Sequence, residues 1–188
     1  SDFSEEACIL FATRNGVIKK TELAAYSSPR RKGVYGITID DGDEVIAARL
    51  VRKEDQIMLF TRSGMAVRFE QEQVRPMGRT ARGVRGVKLK GDDDLVVSCE
   101  VIKEEEQALL VVCEHGYGKR TKAKDFRQTN RGGVGVRSII TSKRNGFVVG
   151  AIAISDLDSV LMMSSSGQTI RTSMKDVRVM GRSTQGVK

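Results

Sequence analysis

The sequence predicts an all-β chain folded as a β-propeller-like array of four-stranded blades, about four repeats with the last one truncated. Three observations predict it. One unit recurs four times along the 188 residues. The apolar residues of each unit alternate at period two, not at the 3.6 of a helix. Turn glycines return at a fixed place in every copy, as in solenoids and propellers.

Each unit opens on a hairpin. Ile9-Leu10-Phe11-Ala12-Thr13-Arg14-Asn15-Gly16-Val17-Ile18-Lys19-Lys20-Thr21 shares its plan with residues 57–69, 109–121 and 160–172. The plan is an apolar strand, a tight turn closing on glycine, and a second strand with a cation four positions after that glycine: Lys20, Arg68, Arg120 and Arg171. The turn glycines Gly16, Gly64, Gly116 and Gly167 lie 48, 52 and 51 residues apart, and with the preceding Asn15, Ser63, His115 and Ser166 they supply the positive φ a tight hairpin needs. A polar connection follows. The chain of unit one then resumes as a third strand over Val34–Ile39, turns at Asp41-Gly42-Asp43 and returns as a fourth strand over Val45–Val51. Units two and three turn at Gly91-Asp92-Asp93 and Asn145-Gly146. A Gly-Val pair at Gly33, Gly83, Gly133 and Gly186 keeps step with the turn glycines. Units two and four are most alike, residues 74–84 and 177–187 sharing seven of eleven positions. The predicted blades are therefore 6–51, 55–102, 107–154 and 158–188, one array over 1–188 in which each blade needs its neighbours to bury its faces. The fourth stops before its last two strands, which points to a piece of a longer array.

Lys and Arg total 32 against 24 Asp and Glu, a formal charge of +8, so a polyanion is the first partner to consider. The cations gather in the connection between second and third strands and just beyond it: Arg30, Arg31 and Lys32; Arg75, Arg79, Arg82 and Arg85; Arg127, Arg131 and Arg137; Arg178 and Arg182. The second strands add Lys19, Lys20, Arg68, Lys119, Arg120 and Arg171. All of these are candidate DNA-contacting residues. Acidic residues gather instead after the third strand, as Asp40, Asp41, Asp43 and Glu44, then Asp92, Asp93 and Asp94. One strand, roughly 20 Å long, separates the two signs of charge. If equivalent loops lie side by side, the basic clusters form an arc suited to a bent double-stranded DNA backbone. Binding of that kind is sequence-independent and salt-steep, and its preferences come from DNA bendability. Glycines beside these arginines either bring backbone N–H groups close to phosphates or start strands at bulges.

Other classes lack their marks. Cys8, Cys99 and Cys113 are odd in number and contain no C-x-x-C pair, and they read as buried thiols in a reducing cytoplasm. His115 reads as a turn residue, Ser164-Ser165-Ser166-Gly167 as a turn, and no P-loop or calcium loop occurs, so neither a catalytic residue, a metal site nor a cofactor is expected in this chain. There is no Trp and few exposed aromatics are expected, which disfavours single-strand stacking. Phe11, Phe60 and Phe69 read as core, Tyr35 and Tyr117 as exposed candidates. No apolar stretch approaches the roughly 20 residues that span a bilayer, so no membrane partner is expected.

Phe11-Ala12-Thr13-Arg14-Asn15-Gly16-Val17-Ile18-Lys19-Lys20-Thr21, Gly116-Tyr117-Gly118-Lys119-Arg120-Thr121, Arg144-Asn145-Gly146-Phe147-Val148-Val149-Gly150-Ala151 and Met180-Gly181-Arg182-Ser183-Thr184-Gln185-Gly186-Val187 closely resemble the carboxy-terminal domain family of DNA gyrase A subunits. The resemblance runs from Glu6 onward. It implies a β-pinwheel, a propeller variant whose blades exchange strands, wrapping DNA on a positive perimeter. By the same resemblance the wrap supports ATP-dependent negative supercoiling by an A2B2 holoenzyme made with the gyrase B subunit plus the rest of the A subunit, in the bacterial cytoplasm at the nucleoid. The strand-cleaving tyrosine and the ATP and Mg2+ sites then belong elsewhere in that enzyme. The family's hallmark box, Gln-Arg-Arg-Gly-Gly-Lys-Gly, is absent; Arg30-Arg31-Lys32-Gly33 and Arg131-Gly132-Gly133 are partial echoes, as if the chain began after the box-containing blade. Two alternatives stay open: the related topoisomerase IV A subunit, whose propeller lacks the intact box, and a protein-interaction propeller of the WD40 or kelch type, whose Trp-Asp and Gly-His signals are missing here.

Overall fold

The computed structural model describes residues 6–28 and 30–188. Thirteen strands and four short 3-10 turns make up its regular structure, with no α-helix among the described residues. Unit one supplies β1 (Ala7–Thr13), β2 (Val17–Glu22) and β3 (Val45–Arg52). Unit two supplies β4 (Gln56–Thr61), β5 (Met65–Glu70), β6 (Val84–Arg85) and β7 (Val96–Ile102). Unit three supplies β8 (Ala108–Cys113), β9 (Gly118–Lys122), β10 (Val136–Arg137) and β11 (Val148–Ile154), and unit four the hairpin β12 (Ser159–Met163) and β13 (Thr169–Ser173).

Sheets and sequence units do not coincide. The first sheet runs β3-β1-β2-β6 and the second β10-β5-β4-β7, so the outer strand of each is donated by the following unit. Val84 and Arg85 pair with Ile18 and Val17, and Val136 and Arg137 pair with Ala66 and Met65. The third sheet, β11-β8-β9, receives isolated bridges in place of a donated strand, Val187 to Gly118 and Val179 to Arg120. This donation corrects the expected third strand of unit one. Val34–Ile39 forms no strand: among the described residues no hairpin edge pairs with it, its Thr38 N–H donating instead to the Ala81 carbonyl at 3.2 Å, and Tyr35 is left 80% exposed.

The glycine at each crossing is set by close approach. A Cβ on Gly83 (φ 102°) would strike the Ile18 carbonyl oxygen, and one on Gly135 (φ 80°) the Ala66 carbonyl oxygen. Neither the space nor the φ admits a side chain. Gly135-Val136 is thus the equivalent of Gly83-Val84, and the expected register at Gly133 is two residues too early.

Two cores lie between units. Leu10 and Ile18 meet Ile57, Leu59, Val67 and Val87 in the first; Met58 and Phe60 meet Leu109, Val111, Phe126 and Ile139 in the second. β4 is apolar without alternation because its two faces serve both cores, Ile57 and Leu59 to one side, Met58 and Phe60 to the other. The third cluster is small, Leu110, Ile154 and Met174, and β12–β13 leaves Leu161 and Met163 exposed. Phe60 and Phe69 are core as expected; Phe11 and Tyr117 are half-buried. Cys99 and Cys113 are buried free thiols, Cys8 a half-buried one.

Candidate nucleic-acid interface

The inner edges of the blades converge. β3 packs on β7 and β7 on β11. These are edge strands, and their otherwise open backbone groups are closed by polar side chains. The Ala151 N–H donates to Ser98 Oγ at 2.9 Å and the Ala153 N–H to Glu100 Oε2 at 3.4 Å, while Arg49 reaches the other Glu100 oxygen at 3.1 Å. The opposite, outer edges carry β6 and β10 and the basic connections that lead into them.

Of the carboxylates expected apart from the cations, Asp43 and Asp94 close the hairpin turns, whereas Asp40 is not separated but meets Arg82. Asp43 Oδ1 accepts from the Asn15 N–H at 2.9 Å, and Asp94 accepts from the Ser63 N–H and hydroxyl, each at 2.8 Å. Turn closure, not repulsion from a ligand, accounts for their placement.

The basic candidates fall into three groups. Arg30, Arg31, Lys32, Arg75, Arg82, Arg85, Arg127, Arg137, Arg171 and Arg178 are exposed. Arg85 and Arg137 occupy the same position in successive donated strands, and with Arg75, Arg127 and Arg178 they place one or more free-facing cations on the outer edge at each junction. Arg82 leans to Asp40 across two exposed loops, a contact worth little in water. A second group, Arg79, Arg131 and Arg182, is half-buried. Arg131 donates from Nε to the Gln73 carbonyl at 2.9 Å and from Nη1 to the Arg85 carbonyl at 3.1 Å, and Arg182 to the Arg137 carbonyl at 3.2 Å. Between units one and two, Arg30, Arg31, Lys32, Tyr35 and Arg79 line a concavity of about 430 Å³.

The third group is a correction. Lys19, Lys20, Arg68, Lys119 and Arg120 are buried and cannot face DNA. Their charges are consumed inside the array. Lys20 donates to the Gln71 carbonyl at 2.9 Å and to its side-chain oxygen. Arg68 donates to the carbonyls of Ala123 (2.7 Å) and Phe126 (3.1 Å) and pairs with Glu105. Arg120 donates to the Val177 carbonyl at 2.6 Å and pairs with Asp156. In every case the acceptor lies at the 3-10 turn of the next unit: Gln71–Gln73, Ala123–Asp125 with Phe126 after it, and Met174–Asp176 with Val177 after it. Arg171 holds the same position in unit four and stays exposed, reaching only Ser159 Oγ at 3.3 Å. Lys19 sits over the Phe11 ring at 5.3 Å. Burial, with Arg79 beside it, lowers the Lys19 ammonium to about 8; burial, with Arg182 beside it, lowers Lys119 to about 8, so both are cationic at neutral pH.

One further cation is not legible in the sequence. Lys88 is exposed, three residues past Arg85, and its N–H donates to the Gly133 carbonyl at 2.9 Å, which sets it beside the loop of unit three. Unit three has Ile140 at that position, so no recurrence points to it.

The family model "DNA gyrase C-terminal domain, beta-propeller" matches residues 9–52, 55–103, 107–155 and 158–188. The chain belongs to that family. Among named relatives, the DNA gyrase A protein of Chlamydia muridarum is 59% identical over 187 residues, 99% of this chain and 22% of its own length, and that of Salmonella typhimurium is 43% identical over 186 residues, 99% of this chain and 21% of its own length. The chain thus spans about a fifth of the curated relatives it matches. Among solved structures, the C-terminal domain of DNA topoisomerase IV superposes with a TM-score of 0.92 at 28% identity, covering all of this chain and 58% of that one. The DNA gyrase A C-terminal domain superposes with a TM-score of 0.86 at 33% identity, covering 99% and 62%. As a member of the gyrase C-terminal family the chain is a β-propeller-like repeat array, in agreement with the all-β class its sequence predicts.

Proposed function

We propose that this chain binds double-stranded DNA along the outer edges of its blades and bends the duplex around them, as the wrapping module of a DNA gyrase A protein. The observation that carries the reading is the recurrence of outward cations at equivalent outer-edge positions, Arg75, Arg82 and Arg85, then Arg127 and Arg137, then Arg178. The anionic turns are meanwhile occupied at the hairpin ends. A positive perimeter of this kind contacts phosphates, not bases, and leaves sequence to DNA deformability. In the holoenzyme, with the B subunit plus the rest of the A subunit, the bend would bias ATP-driven strand passage toward negative supercoiling. ATP and Mg2+ bind outside these residues on this reading, and the setting is the bacterial cytoplasm, at the nucleoid.

A topoisomerase IV A subunit is the second reading, and the superposition at 0.92 favours it. Identities of 59% and 43% to gyrase A proteins against 28% for that structure favour gyrase.

The test is binding to duplexes of increasing length with fluorophores at both ends. About six phosphate contacts give a log–log salt slope near −5 and roughly a 10³-fold loss of affinity between 50 and 200 mM salt, with energy transfer rising once the duplex is long enough to wrap. Salt-independent or absent binding refutes the reading and leaves the perimeter to a protein partner, as in an interaction propeller.

A further inference from the structure

We infer that Lys19 and Lys119 are positioning residues, buried pins that hold the basic loop of the following unit in shape for the phosphate backbone. Lys19 Nζ donates to the carbonyls of Gly78 (3.2 Å) and Arg79 (2.9 Å) in unit two, and to that of Gly36 in its own unit. Lys119 Nζ donates to the carbonyls of Gly181 (2.8 Å) and Arg182 in unit four. The two sites are 100 residues apart in sequence and grip the same pair of carbonyls, those of the Gly-Arg in Met77-Gly78-Arg79-Thr80 and in Met180-Gly181-Arg182-Ser183.

The pins follow an alternating rule. A cation four positions after the turn glycine occurs in every unit and, wherever a following unit is present, fastens the next 3-10 turn. A lysine three positions after it occurs only in units one and three, and the Gly-Arg loop it grips occurs only in units two and four. Unit two has Val67 at that position, buried in the first core, and the loop it faces, in unit three, is fastened instead by Arg131 on the Gln73 and Arg85 carbonyls. Lysine and loop therefore come as a matched set.

The geometry says what the set does. A loop carbonyl that accepts from a buried ammonium is fixed in direction, and its residue's side chain is thereby aimed. Within each loop the glycine carbonyl also accepts locally, Gly78 from the Ala81 N–H at 3.1 Å and Gly181 from Thr184 Oγ1 at 3.4 Å, and the lysine ties that closed turn to the preceding unit. Arg82 follows within the same loop and Arg85 in the β6 strand it leads into, and Arg178 precedes the Gly181 carbonyl. Fixing the loop in advance spares the ordering entropy that a mobile loop loses on binding.

This inference rests on the DNA reading, and the experiment separates the two. Lys19→Met keeps the stem and removes the donor; Lys19→Gln is the milder variant should methionine unfold the chain, and Lys119→Met is the independent second site. Amide hydrogen exchange is followed by mass spectrometry over peptides covering 77–83, 127–133 and 180–184, alongside duplex affinity across a salt series. Lys19→Met is expected to speed exchange about tenfold in 77–83 only, and Lys119→Met in 180–184 only, with 127–133 unchanged in both because that loop has no lysine pin. Affinity falls about tenfold and the log–log salt slope becomes shallower by about 2 as Arg79 and Arg82 lose their aim. A uniform rise in exchange, or none, overturns the pin. Local loosening with unchanged salt slope overturns its role toward DNA. A parent chain that never binds duplex overturns the DNA reading, while the exchange pattern still decides for or against the pins.

Discussion

Replacing Arg68 by methionine should destabilise the array without touching its outer surface. The Arg68 side chain is 4% exposed. Its Nη1 bonds to the Ala123 and Phe126 carbonyls, and its Nε donates to Gln56 Oε1 at 2.6 Å. Methionine keeps the aliphatic stem packed and removes the guanidinium. Ala123 O retains its turn bond from the Phe126 N–H at 3.0 Å, whereas Phe126 O loses its guanidinium donor, and Glu105, 58% exposed, returns to water. Two buried charge-assisted bonds at about 1.5 kcal/mol each make roughly 3 kcal/mol. For a chain of this size that is about 6–12 °C in melting temperature, read by far-UV circular dichroism because there is no Trp to report by fluorescence. Arg85→Met, exposed on β6, is the control: stability within about 0.5 kcal/mol of the parent, duplex affinity reduced and the salt slope shallower by about 0.9. Should Arg68→Met melt with the parent and weaken DNA binding as Arg85→Met does, the division into internal and perimeter cations is wrong.

Burial pushes the Cys99 thiol up to about 12 and Cys113 up to about 11, so at pH 8 a maleimide should modify Cys8 first and the other two only in urea, as mass spectrometry would show; modification of Cys99 at the Cys8 rate would deny the packing of β7. Hydrogen bonds from Lys122 and Lys124 hold Glu106 down at about 2. Because the folded carboxyl titrates below its unfolded range, its small contribution is present above that range and lost as pH falls toward 2, and Lys122→Met should raise the midpoint followed by carbon NMR. Lys19, lowered to about 8, has the same sense in a higher window. The unfolded chain binds a proton that the folded chain has released between about 8 and the ordinary lysine value near 10.5, so stability rises with pH across that window. The two buried thiols work against this above pH 9, and the readout is therefore the difference in urea midpoint between the parent and Lys19→Met at pH 7.5 and 9.5, expected to widen in favour of the parent.

The hairpins and their spacing were legible because tight turns impose glycine locally and period-two alternation is a property of a single strand. Strand donation was implied by the family resemblance but by no residue pattern. Val84-Arg85 and Val136-Arg137 are two-residue strands whose partners lie more than 60 residues away, and nothing within two residues specifies which unit's edge they join. The slip from Gly133 to Gly135 has the same origin, since Gly132-Gly133-Val134-Gly135-Val136 offers two identical dipeptides and only contact with Ala66 selects the second. Burial of the strand cations was hidden for another reason. Adjacent residues in a strand face opposite sides, so Lys19 and Lys20 promise at least one exposed charge when one face of a sheet meets water. Here both faces meet neighbours, and both lysines find carbonyls. The available signal was recurrence itself: a cation at one fixed position in all four units is more constant than phosphate contact demands.

The charge of the chain therefore divides by neighbour, not by sequence. A cation on a second strand is internal where the next unit supplies carbonyls, as for Lys20, Arg68 and Arg120; among the described residues Arg171 meets Ser159 of its own hairpin. The same contacts that hide these charges set how far each blade is turned from the last, and so set the curve along which Arg85, Arg137 and their loop partners are displayed. On this account stability and DNA curvature are coupled through the junctions: a variant that loosens a buried fastening should change the bend of bound DNA as well as the melting temperature, whereas one that removes a perimeter arginine should change affinity and leave the bend per contacted junction as it was.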